Sequence, residues 1–306
     1  MNVYMAGVFS TGYTRESKQY LRMSQKDRDN LASIKFHLES YHYIGKQGQV
    51  NRIREEGKPI FLDSGAFSAF TKGIKVDIDA YCDYVKRNDD IIENIDGIKM
   101  FSVLDGIGDP QLTYENQCYM EAKGVRPLPC FHYGEDERYL EHYIANYEYI
   151  TLGGMVPIST KQLDFWLDRI WEDHLTDGAG HPRVRVHGFG LTSIPLMRDY
   201  PWFSVDSSTW LMWAIYGQVL CMPDAVSLYV SWATRTRKIE GMHIDNLSEF
   251  EQRKMVDLLT KGGLDVEEAH ENSHTRAAFN AKMFTWLGEA SAQIVPTYHA
   301  KQPRLF

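Results

Sequence analysis

The chain has few cysteines, no long apolar run and fewer basic than acidic residues. Its four cysteines, Cys82, Cys118, Cys130 and Cys221, are scattered and form no CxxC pair. That spacing argues against a disulfide framework or a zinc knuckle and leaves reduced core or surface thiols. No apolar run approaches the roughly 20 residues of a bilayer span, so no membrane partner is expected. The opening residues, Met1-Asn2-Val3-Tyr4-Met5-Ala6-Gly7, carry neither a basic n-region nor an apolar h-region. The expectation is a cytoplasmic chain. Lys and Arg total 33 against 41 Asp and Glu, a net charge of −8. This balance argues against a non-specific nucleic-acid binder, yet it is compatible with a local basic groove on an acidic body. HxH spacing is absent and HExxH occurs once, at His270-Glu271-Asn272-Ser273-His274; low-complexity segments, long linkers and short repeats are absent.

What is present is ordinary globular composition, 43% apolar and 24% charged, over 306 residues. Short β-branched and aromatic runs alternate with amphipathic stretches. The predicted strands are Val3–Gly7, Ser40–Ile44, Pro59–Asp63, Ile98–Asp105, Arg126–His132, Tyr149–Gly154, Arg183–Gly190 and Phe203–Asp206. Between them, Asp77–Arg87, Gln111–Lys123, Asp136–Tyr147 and Thr160–His174 read as helices; the last carries Leu163, Trp166, Leu167, Ile170 and Trp171 on one face. Eight strands separated by helical sequence predict a (β/α)8 TIM barrel over residues 1–210, with an open doubly wound sheet as the alternative. Residues 211–306 read as a helical extension packed on that barrel, with helices over Thr209–Leu220, Leu247–Lys261 and Val266–Gly288.

The strands end in a recurring way: Asp63-Ser64-Gly65, Asp105-Gly106, His132-Tyr133-Gly134, Gly153-Gly154-Met155, His187-Gly188-Phe189-Gly190 and Asp206-Ser207-Ser208. At any one strand these are turn and cap residues. Repeated along one rim, they are the polar βα ends that build barrel active sites. Asp63, Asp105 and Asp206 are therefore the candidate chemical groups. Two aspartates across a barrel mouth suit glycosyl transfer, one as nucleophile and one as general acid/base. A metal-dependent barrel hydrolase using Asp63, Asp105 and His187 is a second reading. A barrel that binds a purine or nucleic acid without chemistry is a third. Gly153-Gly154 is either a ligand-binding turn or a tight connection. The segment from Ser231 to Lys238, with Trp232, Arg235, Arg237 and Lys238, is either a phosphate-backbone contact or a solvated loop. Arg183 and Arg185 line a rim or form ion pairs. His270 and His274 share a helix face and are read as structural.

Taken together and in this order, the motifs resemble the tRNA-guanine transglycosylase superfamily, closest to the DNA deazaguanine transglycosylases of phages and bacteria. The resemblance covers about residues 58–210. Leu62-Asp63-Ser64-Gly65-Ala66-Phe67 is similar to the family's DSGG-aromatic motif, with Ala66 in place of the second glycine. It implies that Asp63 is the general acid/base. Leu104-Asp105 resembles the aspartate that reads the guanine edge. Phe131-His132-Tyr133-Gly134 falls where the tRNA enzymes carry a Gln-Gly pair on the base, and His132 departs from that glutamine. Leu152-Gly153-Gly154-Met155 resembles the backbone turn over the purine, and His187-Gly188-Phe189-Gly190 the short glycine motif of the next strand. Phe203-Ser204-Val205-Asp206-Ser207 matches the strand of the nucleophile, which implies that role for Asp206. Ser64, Gly65, Asp105, His132, Gly153, Gly154 and His187 would then bind substrate, with Phe67 or Met155 against the purine. The resemblance implies exchange of guanine in DNA for a 7-deazaguanine such as 7-cyano-7-deazaguanine, with tRNA as the alternative substrate, no cofactor, and a host-cytoplasmic location if phage-encoded. The tRNA enzymes' CxCxxC…H zinc site is not written in this chain, which has no cysteine after Cys221. Oligomeric state stays open.

Overall fold

The computed structural model describes residues 1–191, 193–233, 235, 238, 242–292 and 297–299. Its strands in chain order are β1 (Asn2–Ala6), β2 (Phe36–Ser40), β3 (Ile60–Asp63), β4 (Asn94–Ile95), β5 (Ile98–Lys99), β6 (Cys130–His132), β7 (Tyr149–Gly153), β8 (Arg185–Gly188), β9 (Ser204–Ser207), β10 (Gln218–Cys221) and β11 (Val226–Tyr229). Seven of them form one parallel sheet in the order β3-β2-β1-β9-β8-β7-β6. Helices separate most of them, giving an α/β fold whose sheet curls into a half-barrel, roughly like a TIM barrel.

Beyond the edge strand β3, the chain over Met100–Val103 makes further parallel contacts. Leu62 N–H donates to Met100 O (2.9 Å) and Ser102 N–H to Leu62 O (3.0 Å). On its other side Val103 N–H donates to Leu128 O (3.0 Å), two residues ahead of β6.

The curl has two apolar sides, because side chains alternate along each strand. Tyr4, Leu38, Phe61, Met100, Leu128 and Tyr149 pack together inside it. Their neighbours Val3, Met5, Ile150, Leu152, Val186 and Val205 face outward, in one core with Leu167, Trp171 and Phe284 of the covering helices. Strands buried on both faces read as continuous apolar runs, which is why Ile60-Phe61-Leu62 and Tyr149-Ile150 stand out in the sequence.

Several predicted elements are corrected. Val266–Gly288 is not one helix: extended Asn272 splits it into Val266–Glu271 and Ser273–Ala292, so His270 and His274 lie on different helices. Ser40–Ile44 is not a strand: β2 ends at Ser40, and Tyr41–Ile44 is a helical turn. The buried polar residues His37 and Glu39 hide the true strand from a hydrophobic pattern, and the Tyr-rich segment after it mimics one. Glu39 is tolerated because its Oε1 accepts from Phe9 N–H at 2.6 Å. Ile98–Asp105 is broken rather than continuous. Asp96 (φ 52°) and Gly97 (φ 88°) turn β4 and β5 into a hairpin before the chain joins the β3 edge.

Thr209–Leu220 is helical only to Ile215. Gly217, at φ 89°, stops the helix. β10 then pairs antiparallel with β11, so the carboxyl-terminal region is not purely helical. The long helix Ser273–Ala292 packs against β1, β10 and the helices Gln25–Ala32 and Thr209–Ile215. No helix among the described residues is long and apolar enough to cross a membrane. The cysteines are free, and only Cys118 is exposed.

Candidate active site

Asp63 closes β3, paired in register with Ser40, and Asp206 lies within β9, paired with Tyr4. Each shares its strand face with an inward residue, Phe61 or Ser204, while Leu62 and Val205 point outward. Both carboxylates therefore face the inside of the curl near its carboxyl-terminal end. Asp63 is half-buried and receives the Gly65 N–H on Oδ2 at 3.1 Å. Burial and the nearby charges of Asp105 and Asp206 push its pKa up to about 7, partly offset by polar contact with Ser40 and Gly65. Three carboxylates from three segments thus share one field.

Asp206 is buried, and its Oδ1 has two donors in reach. Gly190 N–H donates at 2.9 Å, and His187 Nε2 lies at 3.2 Å. His187 is fully buried, and burial lowers its pKa, favouring the neutral ring. Its Nδ1 is 2.6 Å from Ser204 Oγ, which is 2.5 Å from Tyr149 OH. A neutral ring that donates from Nε2 must accept at Nδ1. The proton order is then Tyr149 O–H to Ser204, Ser204 O–H to His187 Nδ1, and His187 Nε2–H to Asp206. Phe61 and Phe189 each lie 4.6 Å from the imidazole, centroid to centroid, and hold it in place.

Asp105 and His132 form the opposite side. His132 Nε2 is 3.5 Å from Asp105 Oδ1 and 3.5 Å from Cys130 Sγ. On the other ring edge Glu135 Oε1 is 2.9 Å from Nδ1, while Glu135 Oε2 accepts the His132 N–H at 2.9 Å. Burial works against a charged His132, but the Cys130 sulfur and the Asp105 carboxylate outweigh it and raise its pKa.

The remaining predicted residues have varied positions. Ser64 is buried, and its N–H donates to Ser102 Oγ at 2.9 Å, so it serves the turn. Gly65 has φ 75°, and a Cβ there would lie 2.7 Å from Ser40 Oγ and His42 Cβ. Phe67 is 55% exposed on the short helix Ala66–Thr71, whereas Met155 is buried in the outer core. Gly153 and Gly154 lie under His132: a Cβ on Gly153 would come within 2.9 Å of Cys130 Sγ and His132 Cδ2.

Trp232 stacks on His270 at 4.2 Å, and the Arg235 guanidinium lies over the Tyr216 ring at 5.8 Å. Lys238 is exposed, and Arg237 lies outside the described residues. His270 Nδ1 pairs with Val230 O (2.6 Å) and His274 Nδ1 with Tyr13 OH (3.1 Å), structural bonding in both cases. Arg185 pairs with Asp96 at 2.6 Å and Arg183 with Glu141 at 3.8 Å, so both are ion-paired. A groove of about 900 Å3 at the opposite end of the strands, lined in part by Lys99, Arg126 and Arg183, contains none of the three aspartates.

Sequence reasoning missed Cys130, Glu135, Tyr149, Ser204 and Gly190 as site residues. Two of them carried a signal: Cys130 is two residues before His132 on one strand, hence on the same face, and Glu135 is three after it. No protein-family model matches the chain, and no curated protein matches it.

Proposed function

We propose that the protein is a transglycosylase that exchanges guanine in DNA for a 7-deazaguanine. The observation that supports this reading is the convergence of Asp63, Asp105 and Asp206 in one field, with Asp63 raised to about 7 by burial and by the other two. Pairs of carboxylates in unlike environments are the mark of divided acid/base and nucleophile roles. In the first half-reaction an Asp206 oxygen bonds to C1′ of the nucleotide as the C1′–N9 bond breaks, and Asp63 gives its proton to the departing guanine. In the second, the incoming base gives its N9 proton to Asp63, N9 bonds to C1′, and the Asp206–C1′ bond breaks. A group that titrates near neutrality serves both directions. Gly190 N–H and His187 orient the nucleophile. Asp105 and His132 lie where the purine edge would be held, with exposed Phe67 at the entrance.

In this reading the Met100–Leu104 segment is the eighth stave of a closed barrel, and residues after 210 are an extension carried on it. The target base must leave the duplex to reach such a pocket. Trp232, Arg235, Arg237 and Lys238 would track the phosphate backbone. The preference for DNA over tRNA rests on the resemblance to the DNA enzymes.

The test supplies duplex DNA, or tRNA, with labelled guanine or 7-cyano-7-deazaguanine. Label in DNA, absent with Asp206→Asn, is the expected result. Label in tRNA alone overturns the substrate but keeps the chemistry. No label in either, with no covalent adduct, overturns the reading.

A further inference from the structure

The geometry points to a divalent transition-metal site, best suited to zinc, formed by Asp105 Oδ1, Cys130 Sγ and His132 Nε2. These three side chains offer ligand atoms that all lie within 4.8 Å of one another. With Zn–S of about 2.3 Å and Zn–N of about 2.05 Å, tetrahedral coordination separates sulfur and nitrogen by about 3.5 Å, and nitrogen and oxygen by about 3.4 Å. Cys130 Sγ to His132 Nε2 and His132 Nε2 to Asp105 Oδ1 are each 3.5 Å. Two edges of the tetrahedron are therefore already set.

Three further features belong to a metal site rather than to a chance cluster. Asp105 Oδ1 is buried with no well-formed hydrogen bond, its polar neighbour being His132 Nε2 at 3.5 Å, so a buried carboxylate oxygen is left under-satisfied. Glu135 Oε1 sits 2.9 Å from His132 Nδ1. When the ring gives up its Nε2 proton to a metal ion, that contact keeps the remaining proton on Nδ1 and aims the Nε2 lone pair at Asp105 and Cys130, the outer carboxylate–histidine arrangement that metal-binding histidines use. Gly153 leaves room for the close approach, since a Cβ there would lie 2.9 Å from both Cys130 Sγ and His132 Cδ2.

One soft thiolate, one imidazole and one carboxylate suit zinc over magnesium or calcium. Three protein donors leave the fourth tetrahedral position for an exchangeable oxygen or nitrogen donor, either water or a heteroatom of the substrate. On binding, the Cys130 thiol and the His132 Nε2 each lose a proton to solvent, and the sulfur and the ring nitrogen bond the ion. The site does not depend on the glycosyl-transfer reading. It differs from a set of Asp63, Asp105 and His187, because His187 is committed to Ser204 and Asp206.

The full-chain protein is stripped with chelator and titrated with cobalt(II), then with zinc. One equivalent of cobalt should bind and give a thiolate-to-cobalt charge-transfer band, displaced by one equivalent of zinc. The band should vanish in Cys130→Ser and persist in Cys118→Ser. Glu135→Gln keeps all three donors and should weaken cobalt binding about 10- to 100-fold, with an unchanged circular dichroism spectrum. Absence of the band in the parent, a band that follows Cys118, or unchanged affinity in Glu135→Gln overturns the site. No substrate enters the measurement, so its failure leaves base exchange standing, and a failure of base exchange leaves the metal site standing.

Discussion

His187 Nε2 faces Asp206 Oδ1 across 3.2 Å, with both side chains buried inside the curled sheet. A neutral imidazole that donates here orients the carboxylate without cancelling its charge. It is in turn held by Ser204 and Tyr149, so the Asp206 carboxylate is positioned by residues from three adjacent strands.

Asp206→Asn keeps an oxygen for the Gly190 and His187 donors but removes the carboxylate proposed as nucleophile. Exchange should fall by at least about 10^4-fold, with little change in unfolding temperature. A labelled nucleic acid trapped on the protein and mapped to Asp206 in the parent, and missing in the variant, checks this. An adduct in the variant contradicts the assignment.

Ser204→Ala leaves His187 Nδ1 and Tyr149 OH buried without their shared partner. Stability should fall by about 1–3 kcal/mol. Because Ser204 acts through His187, kcat should drop with KM nearly unchanged. Ser204→Thr keeps the hydroxyl and should restore much of the rate, an outcome that a purely packing role would not give.

The Asp63 carboxyl has a folded pKa near 7 against an ordinary 3.8. Between those values the folded protein binds more protons than the unfolded chain, so this group's contribution falls as pH rises through that window and then levels off. Asp63→Asn removes the penalty. Urea unfolding should find the variant more stable than the parent by on the order of a few kcal/mol at pH 8, and about equal to it at pH 4. Buried Glu39, also raised to about 7, adds the same trend to parent and variant alike.

Gly65→Ala should be costly for two reasons at once. Residue 65 has φ 75°, and a methyl would sit 2.7 Å from Ser40 Oγ and His42 Cβ. The Gly65 N–H also holds Asp63 Oδ2. The expected result is a stability loss of more than about 1 kcal/mol, from left-handed strain alone, together with reduced exchange. Thermal melts and labelled-base incorporation read the two effects separately. Ala66 is the milder site: it opens the helix Ala66–Thr71, with no demand for positive φ.

The sequence by itself determined the parallel α/β alternation, because strands buried on both faces must be continuous apolar runs, as in Ile60-Phe61-Leu62 and Tyr149-Ile150-Thr151-Leu152. It also marked Asp63 and Asp206, because polar strand ends of this kind recur from strand to strand. Local pattern failed where burial was bought with hydrogen bonds: β2 carries His37 and Glu39, and no hydrophobic count identifies a strand whose glutamate is satisfied by the backbone of Phe9. Only the tertiary structure decided which side chains meet. Register set Tyr149, Ser204 and His187 in one proton-ordered line to Asp206, and the curl brought Asp105 from one segment against Cys130 and His132 from another. Those contacts depend on angles and distances between strands far apart in the chain, which residue spacing does not encode.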